Sequence, residues 1–260
     1  MMRVEELLQY YPENQWRFRE FIMREYLQHK ILQIIFDRAE ASSKLCFLGG
    51  TCLRIVHGNT RFSEDIDFDN LGLDGKGFER VAEAIKKQLD REGYEVEIKT
   101  VLKSAFHCYV RFPGILFQEG LSGHAEQKIL IQLDTEPQHY SFVPEKFIIN
   151  KFDVFTEIPV TPLSILLAQK FFTLVNRKRT KGRDFFDIVF LLGKNVKPDY
   201  GYLNLKMKIN DSTALKEIIL KTCAKLDMNE MAQDIAPFLF NDADTKKVEL
   251  FEKYLKQVEL

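Results

Sequence analysis

The chain has 260 residues, of which 45% are hydrophobic and 29% are charged, as in an ordinary globular protein with a sizeable core. Its formal net charge is −1, so no overall electrostatic field attracts it to nucleic acid or to a membrane, and any nucleic-acid affinity must come from a local patch. The stretch MMRVEELLQYYPENQW has no apolar signal core, and no apolar run approaches the length that crosses a bilayer.

The cysteine pattern indicates a reducing compartment. The chain has four cysteines, and none of them forms a CxxC pair; they are Cys46, Cys52, Cys108 and Cys223. This spacing argues against a zinc ribbon and against a disulfide framework. We therefore expect reduced thiols, a cytoplasmic protein and no membrane association.

The first predicted elements in chain order are helices. An amphipathic piece covers Val4–Tyr10, and Pro12 ends it. Apolar residues at every third or fourth position then predict a long helix from Asn14, as its N-cap, to about Glu40. We interpret this helix as scaffold.

The next stretch, residues 45–70, carries the most specific pattern in the chain. It predicts four elements in order: a buried strand at Leu45–Leu48, a tight turn at Gly49-Gly50, a short helix at Thr51–His57 ended by Gly58, and a second strand at Asp65–Phe68. Asp69 would begin the following loop.

The remaining elements predict an α+β fold. A helix at Asp74–Glu92 is followed by strands at Glu95–Val101, Phe106–Phe112, Ile129–Asp134 and Phe152–Val160, and then by helices at Leu163–Val175, Asp184–Leu192, 213–233 and 244–257. Thr161 would cap the first of these later helices, with Pro162 at its first position. We predict a domain at 1–158 with a mixed sheet flanked by helices, and a C-terminal helical domain at 159–260.

The acids of the second strand point to metal chemistry. In a strand, alternate side chains share a face, so Asp65 and Asp67 project together and repel one another unless a cation lies beside them. Mg²⁺ fits, because it binds one or two carboxylates together with substrate phosphates. Asp134, at the end of another apolar strand, could supply a third carboxylate, and three such acids can hold two metal ions.

The glycines before the short helix point to phosphate. Without side chains, Gly49 and Gly50 let the backbone approach a ligand closely, and the N–H groups of a first helical turn can face a phosphate. Thr51 would add a hydroxyl donor. No P-loop and no GxGxxG sequence is present.

Together these residues resemble a known family. GGT and DID, separated by residues 52–64, with Arg61 and Ser63 within RFSEDIDF, resemble the AbiEii-type nucleotidyltransferase toxins, which belong to the DNA polymerase β-like nucleotidyltransferase superfamily. Minimal members of that superfamily have a shorter gap and usually Gly-Ser, whereas Gly50-Thr51 matches the AbiEii-like branch. The N-terminal domain would then be the nucleotidyltransferase domain.

The resemblance continues to about Leu192. The family carries a lysine on a helix, then a basic segment, then a helix with an essential aspartate, and here Lys170, Arg177 and either Asp184 or Asp187 match these features. A lysine on an apolar helix is costly to bury unpaired, so Lys170 would face either a triphosphate or one of these two acids. Asp184 could instead be a helix N-cap, and Asp187 could orient Lys170 or Arg177.

The resemblance implies a Mg²⁺-dependent nucleotidyltransferase that moves a nucleoside monophosphate from an NTP to an acceptor hydroxyl, with tRNA as the preferred acceptor. The setting would be a bacterial toxin–antitoxin or phage-defence system with a separately encoded antitoxin. The expected metal ligands are Asp65, Asp67 and Asp134, with Asp134 also a candidate base; the expected nucleotide-binding residues are Gly49, Gly50, Thr51, Ser63, Lys170 and Arg177; and Lys170, Asp184 and Asp187 complete the catalytic set.

Several alternatives remain open at the level of sequence. The enzyme could modify a small molecule, as aminoglycoside nucleotidyltransferases do, or the chain could be a silent module that binds a nucleotide or a partner. The basic loop at 177–183 could be solvated or could guide an RNA backbone. Tyr109 and Arg111 could line the acceptor side. The histidines at 57, 107, 124 and 139 lack ligand spacing, and we interpret them as structural or surface residues.

Overall fold

The computed structural model describes residues 2–38 and 42–260, and these form two compact units. The sheet unit comprises the residues up to His57 together with Phe62–His139 and Val143–Val160. The helical unit comprises Gly58–Arg61, Tyr140–Phe142 and Thr161–Leu260. Within the described ranges, no helix has the length and apolar character needed to cross a membrane.

The sheet unit is built on one mixed sheet. Its strands are β1 (Leu45–Leu48), β2 (Ile66–Asn70), β3 (Glu97–Leu102), β4 (Phe106–Pro113), β5 (Lys128–Glu136), β6 (Glu145–Lys151) and β7 (Val154–Val160). The spatial order is β3-β4-β5-β2-β1-β7-β6. The pairs β2–β5 and β1–β7 are parallel, whereas the other neighbours are antiparallel.

The helices of the sheet unit pack on the strands and on one another. They are α1 (Val4–Leu8), α2 (Arg19–Arg38), α3 (Gly49–Ile55), α4 (Gly75–Arg91) and α5 (Ile115–Gln118). The long helix α2 packs on β5 and β7, and α4 packs on β3, β4 and α2. Asp74 begins α4 by accepting a hydrogen bond from the N–H of Gly77 at 2.7 Å.

Alternation along the central strands separates a core face from an open face. Cys108, Val110 and Phe112 of β4 are buried, while the residues between them are half-buried. In β5, Ile131 and Leu133 are likewise buried and their neighbours are more accessible. Because the side-chain period of a strand is two, every polar residue between these positions lies on the open face.

The helical unit packs its helices around apolar and aromatic side chains. Its helices are α6 (Leu163–Asn176), α7 (Gly182–Gly193), α8 (Tyr200–Met207), α9 (Ser212–Cys223), α10 (Met228–Ile235), α11 (Lys246–Glu249) and α12 (Phe251–Gln257). The rings of Phe185 and Phe251 meet edge to face, with centroids 4.9 Å apart. Gly182 is needed where α7 begins, because a Cβ atom there would overlap the carbonyl oxygen of Met231.

The predicted α+β class is confirmed, with a mixed sheet, flanking helices and a helical C-terminal part. The division into domains at residue 158 stays a prediction. The four cysteines are buried thiols, and burial raises the pKa of Cys108 and of Cys223 to about 12.

Several predicted helix bounds were wrong. α3 begins at Gly49 rather than Thr51, α7 begins at Gly182 rather than Asp184, and the helix expected at 213–233 is two helices, α9 and α10. The long helix begins at Arg19 rather than at Asn14, because a 3-10 segment, Glu13–Phe18, precedes it. The indole of Trp16 donates to the carbonyl of Leu8 at 2.9 Å, which holds this segment against α1. The expected end near Glu40 lies outside the described residues. At α6, Pro162 is the N-cap and Thr161 is buried before it.

One strand was missed. β6 precedes the strand that the sequence predicted, and the two form a hairpin in which Lys151 pairs with Val154. Phe152 was expected within a strand, but it lies in the turn with a φ of 58°. A positive φ is uncommon for a residue other than glycine, so nothing in the local sequence signalled this turn.

Candidate active site

The paired acids lie at the start of β2, on the open face of the sheet. Asp65 precedes the strand by one residue and Asp67 lies within it, and both side chains are half-buried. Ile66 and Phe68, between and after them, are buried. The alternation that predicted neighbouring carboxylates therefore holds in the structure.

Gly49 makes room for one of these acids. The residue has a φ of +82°, and a Cβ atom built on it would overlap Oδ2 of Asp67. Leu48, just before it, pairs with Asp67 in the antiparallel register of β1 and β2. The sequence assigned both glycines to phosphate and to a turn, but α3 begins at Gly49 itself, and the missing side chain of Gly49 accommodates a carboxylate.

Side chains hold the backbone that leads into the acids. The buried hydroxyl of Thr51 donates a hydrogen bond to the carbonyl oxygen of Asp65. The amide of Gln28, on α2, donates to the carbonyl oxygens of Ser63 at 3.0 Å and Glu64 at 2.9 Å. The Thr51 hydroxyl therefore fixes the acidic segment, and the expected contribution of Thr51 toward phosphate stays a prediction.

Asp134 lies beside Asp67, because these two residues are partners in the parallel pairing of β2 and β5. Its carboxylate contacts Nδ1 of His107 at 2.6 Å and accepts hydrogen bonds from Gln132 at 2.8 and 3.0 Å. The interpretation of His107 as a structural or surface residue was therefore incomplete. The antiparallel register of β4 and β5 places it opposite Asp134.

Asp69 does not begin a loop, as the sequence suggested. It is a residue of β2, and its side chain is 2% exposed. Its Oδ1 accepts a hydrogen bond from the backbone N–H of Gln138 at 2.9 Å. Asp69 therefore stabilises the segment that follows β5 from the adjacent strand.

The chemistry of these groups fits a hard cation. Asp65, Asp67 and Asp134 offer carboxylate oxygens, which Mg²⁺ prefers, on one half-buried face of the sheet. Across residues 2–38 and 42–260, no group of three or more His, Cys, Asp and Glu side chains is arranged to hold a metal ion. The three-carboxylate site thus stays a prediction. The strands provide Asp65 and Asp67 at alternate positions, and Asp134 is the register partner of Asp67.

In the helical unit, Asp187 is fully buried and surrounded by donors. Its Oδ1 accepts from Asn59 at 2.8 Å and from Arg61 at 2.7 Å, while its Oδ2 accepts from Arg61 at 2.7 Å and contacts Lys170 at 2.7 Å. Burial alone would raise the pKa of Asp187, but the charges of Arg61 and Lys170 outweigh it and lower the pKa to about 2. This carboxylate is ionised and saturated with hydrogen bonds.

Asp184 is also buried and paired, three residues earlier on α7. It accepts a hydrogen bond from Arg177 at 2.9 Å, and Lys170 lies 3.8 Å away. The alternative that Asp184 is an N-cap is wrong, because Lys181 takes that position. The alternative that Lys170 pairs with one of these acids is what the structure shows, with Asp187 as the closer partner.

A further charged cluster, which the sequence did not indicate, lies beside α3. Glu25 is buried and accepts hydrogen bonds from Arg54 at 2.7 Å, Lys151 at 2.7 Å and the hydroxyl of Tyr11 at 2.8 Å. Burial would raise the pKa of Glu25, but Arg54 and Lys151 hold it well below its usual range. The one sequence signal was an arginine within the otherwise apolar α3.

Comparisons with known proteins identify the family and the fold of the chain. A family profile described as "Nucleotidyl transferase AbiEii toxin, Type IV TA system" matches residues 30–255. The chain is similar in structure to MenT4, a nucleotidyltransferase toxin from Mycobacterium tuberculosis, with a TM-score of 0.60 and 15% identity over 100% of this chain and 91% of that one. It is also similar to JHP933 from Helicobacter pylori, with a TM-score of 0.53 and 18% identity over 91% of each chain. Comparison with curated protein sequences finds no match.

Proposed function

Because the chain belongs to the AbiEii family of nucleotidyltransferase toxins of type IV toxin–antitoxin systems, we propose that it transfers a nucleoside monophosphate from an NTP to the hydroxyl of an RNA acceptor, with tRNA preferred. The observation that carries the proposal is the position of the acids. Asp65 and Asp67 come after α3, a helix that begins with glycine, and their side chains lie on the open face of the sheet. Asp134 is the register partner of Asp67.

Mg²⁺ is the proposed metal, and Asp65, Asp67 and Asp134 would hold it. When bound, it would supply charge neutralisation on the phosphates and lower the pKa of the acceptor hydroxyl. The protein contributes the rigidity of the ligands, since Thr51, Gln28 and the β2–β5 pairing fix the backbone that carries them. Such preorganisation removes the need to order the carboxylates during the reaction.

The transfer itself is a displacement at phosphorus. The acceptor oxygen bonds to the α-phosphorus, the bond from that phosphorus to the bridging oxygen of the β-phosphate breaks, and pyrophosphate leaves. We propose that the carboxylate of Asp134 acts as the base and accepts the proton of the acceptor hydroxyl. His107 and Gln132 would keep the carboxylate of Asp134 oriented, because both contact it already.

The residues that we propose to bind the NTP are taken from the family resemblance. Gly49, Gly50, Thr51 and Ser63 would contribute backbone groups toward phosphate, since the Thr51 hydroxyl is already occupied. Lys170 and Arg177 would neutralise triphosphate charge. Each already has an acidic partner within the helical unit, Asp187 for Lys170 and Asp184 for Arg177. A separately encoded antitoxin is the proposed protein partner.

The test is transfer of label. The purified chain is incubated with each α-labelled NTP, Mg²⁺ and total tRNA, and the products are separated on a denaturing gel. Label on RNA with at least one NTP is the expected result. Label only on a small molecule would favour the aminoglycoside-type alternative, and nucleotide binding without any transfer would leave a silent binding module.

A growth experiment tests the toxin role separately. Overexpression of the chain should slow growth of a bacterial host, and Asp65→Ala should relieve that inhibition at equal protein level. Unchanged inhibition by the Asp65 variant would contradict a toxic activity that depends on the carboxylate pair.

A further inference from the structure

The open face of β3, β4 and β5 presents an aromatic ring among basic side chains. We call this surface the β4 platform, and its residues are Lys99, His107, Tyr109, Arg111 and Gln132. The strand registers bring them together, since Tyr109 is the partner of Lys99 on one side and of Gln132 on the other. His107, Tyr109 and Arg111 are alternate residues of β4 and are all half-buried.

Tyr109 is the centre of the platform. The guanidinium carbon of Arg111 lies 5.5 Å from the centroid of its ring, and the imidazole of His107 lies 6.5 Å away at an interplanar angle of 31°. Lys99, opposite Tyr109 on the edge strand, is exposed. The platform thus combines a half-buried ring with two permanent positive charges. The one acid opposite Arg111 in the β3–β4 register, Glu97, is paired with Lys128 at 3.3 Å.

The platform is continuous with the proposed site. His107 contacts the carboxylate of Asp134 at 2.6 Å, and Asp134 pairs in register with Asp67. Residues two apart along a strand are separated by roughly 7 Å, so Tyr109 is one step along β4 from the side chain that touches Asp134. A chain of nucleotides that ends at Asp134 would pass over this ring.

We propose that the β4 platform binds the single-stranded end of the acceptor RNA, with one base stacked on Tyr109 and the adjacent phosphates contacted by Lys99 and Arg111. Stacking on an aromatic ring beside cationic side chains on an open sheet face is a common mode of single-strand recognition. This inference rests on the proposed function for the identity of the ligand. Its physical basis is the charge complementarity of the platform and its continuity with Asp134.

Binding is measured without catalysis, so that the inference and the proposed function can fail separately. In the Asp65→Asn background, a short fluorescein-labelled single-stranded RNA is titrated with protein and followed by anisotropy. Tyr109→Ala should weaken binding at least about tenfold, while Tyr109→Phe, which keeps the ring, should bind as the parent does. Arg111→Ala should reduce the slope of log Kd against log salt by roughly one.

The matched control is Phe155→Ala, which removes a 66% exposed ring from β7, on another part of the same sheet. It should leave RNA binding unchanged. Equal loss in the Phe155 and Tyr109 variants, or no loss in Tyr109→Ala, would overturn the inference, as would equal affinity for the same RNA annealed to its complement. If no NTP is ever transferred but binding depends on the Tyr109 ring, the platform stands and the catalytic proposal fails.

Discussion

Two pairs of aspartates, one in the sheet unit and one in the helical unit, differ in burial and in the charges around them. Asp65 and Asp67 are half-buried, on a strand whose open face they share. Asp184 and Asp187 are buried on a helix, with Arg61, Lys170 and Arg177 as counter-ions. Half-buried carboxylates at alternate positions of a strand suit a cation from solution, whereas a buried carboxylate saturated with donors, as at Asp187, suits the folding of the helical unit.

The largest expected effect is on the rate of nucleotide transfer and concerns the half-buried pair, Asp65 and Asp67. Asp65→Asn or Asp67→Asn should lower nucleotide transfer by about a thousandfold or more, because each removes a charged oxygen ligand of the proposed metal. Thermal unfolding should change little, since both side chains are half-buried. The measurement is the initial rate of label transfer at saturating Mg²⁺.

The control for these variants is Glu136→Gln, an exposed acid two residues beyond Asp134 on β5. It should retain the parent rate. A loss as large as that of the Asp65 variant would mean that general surface charge, rather than the carboxylate pair, supports the reaction.

The second prediction concerns stability. Asp187→Ala should reduce the free energy of unfolding by about 3–5 kcal/mol, because it leaves the buried guanidinium of Arg61 without its counter-ion. Urea unfolding followed by circular dichroism measures this. In contrast, Asp90→Asn breaks an exposed Lys86–Asp90 pair and should cost less than about 1 kcal/mol. Comparable midpoints for the two variants would show that Asp187 is not a structural anchor.

A third prediction extends the comparison to the Glu25 cluster. His29 is buried one helical turn after Glu25, and its Nδ1 lies 2.7 Å from the carbonyl oxygen of Glu25. Burial lowers the pKa of His29 from 6.5 to about 4, so between these values the unfolded chain binds a proton that the folded chain does not. Stability should therefore be fully present above pH 6.5 and should fall by about 3 kcal/mol as the pH is lowered to 4. His29→Gln should flatten this part of the pH profile, whereas His124→Gln, at an exposed position, should not.

The smallest expected effect tests the fit of Gly49. Gly49→Ala should cost about 1–3 kcal/mol, because it places a side chain at positive φ and also overlaps Asp67. Gly93→Ala has a similar φ of +88° with open space around it, so it isolates the backbone strain. Only the Gly49 variant should also lose transfer. Retained transfer in that variant would show that Asp67 tolerates displacement.

Local patterns were sufficient wherever neighbours in sequence decide the outcome. The alternation in DIDF placed Asp65 and Asp67 on one face, and the glycines marked the junction between β1 and the short helix, although α3 begins two residues earlier than predicted. Local patterns failed where one unusual backbone conformation controls a turn, as at Phe152, and where a distant side chain holds a segment, as Trp16 does before α2.

What the sequence by itself determined is the motif and the mixed α+β class, because both follow from residue types at short, regular spacings. The motif in turn carried the resemblance to the family. Tertiary structure alone decided the partners of the acids. His107 reaches Asp134 through a strand register, and Arg61 reaches Asp187 across 126 positions of chain. The physical reason is that a carboxylate's role depends on its burial and on the charges around it, and neither is encoded in the residues next to it.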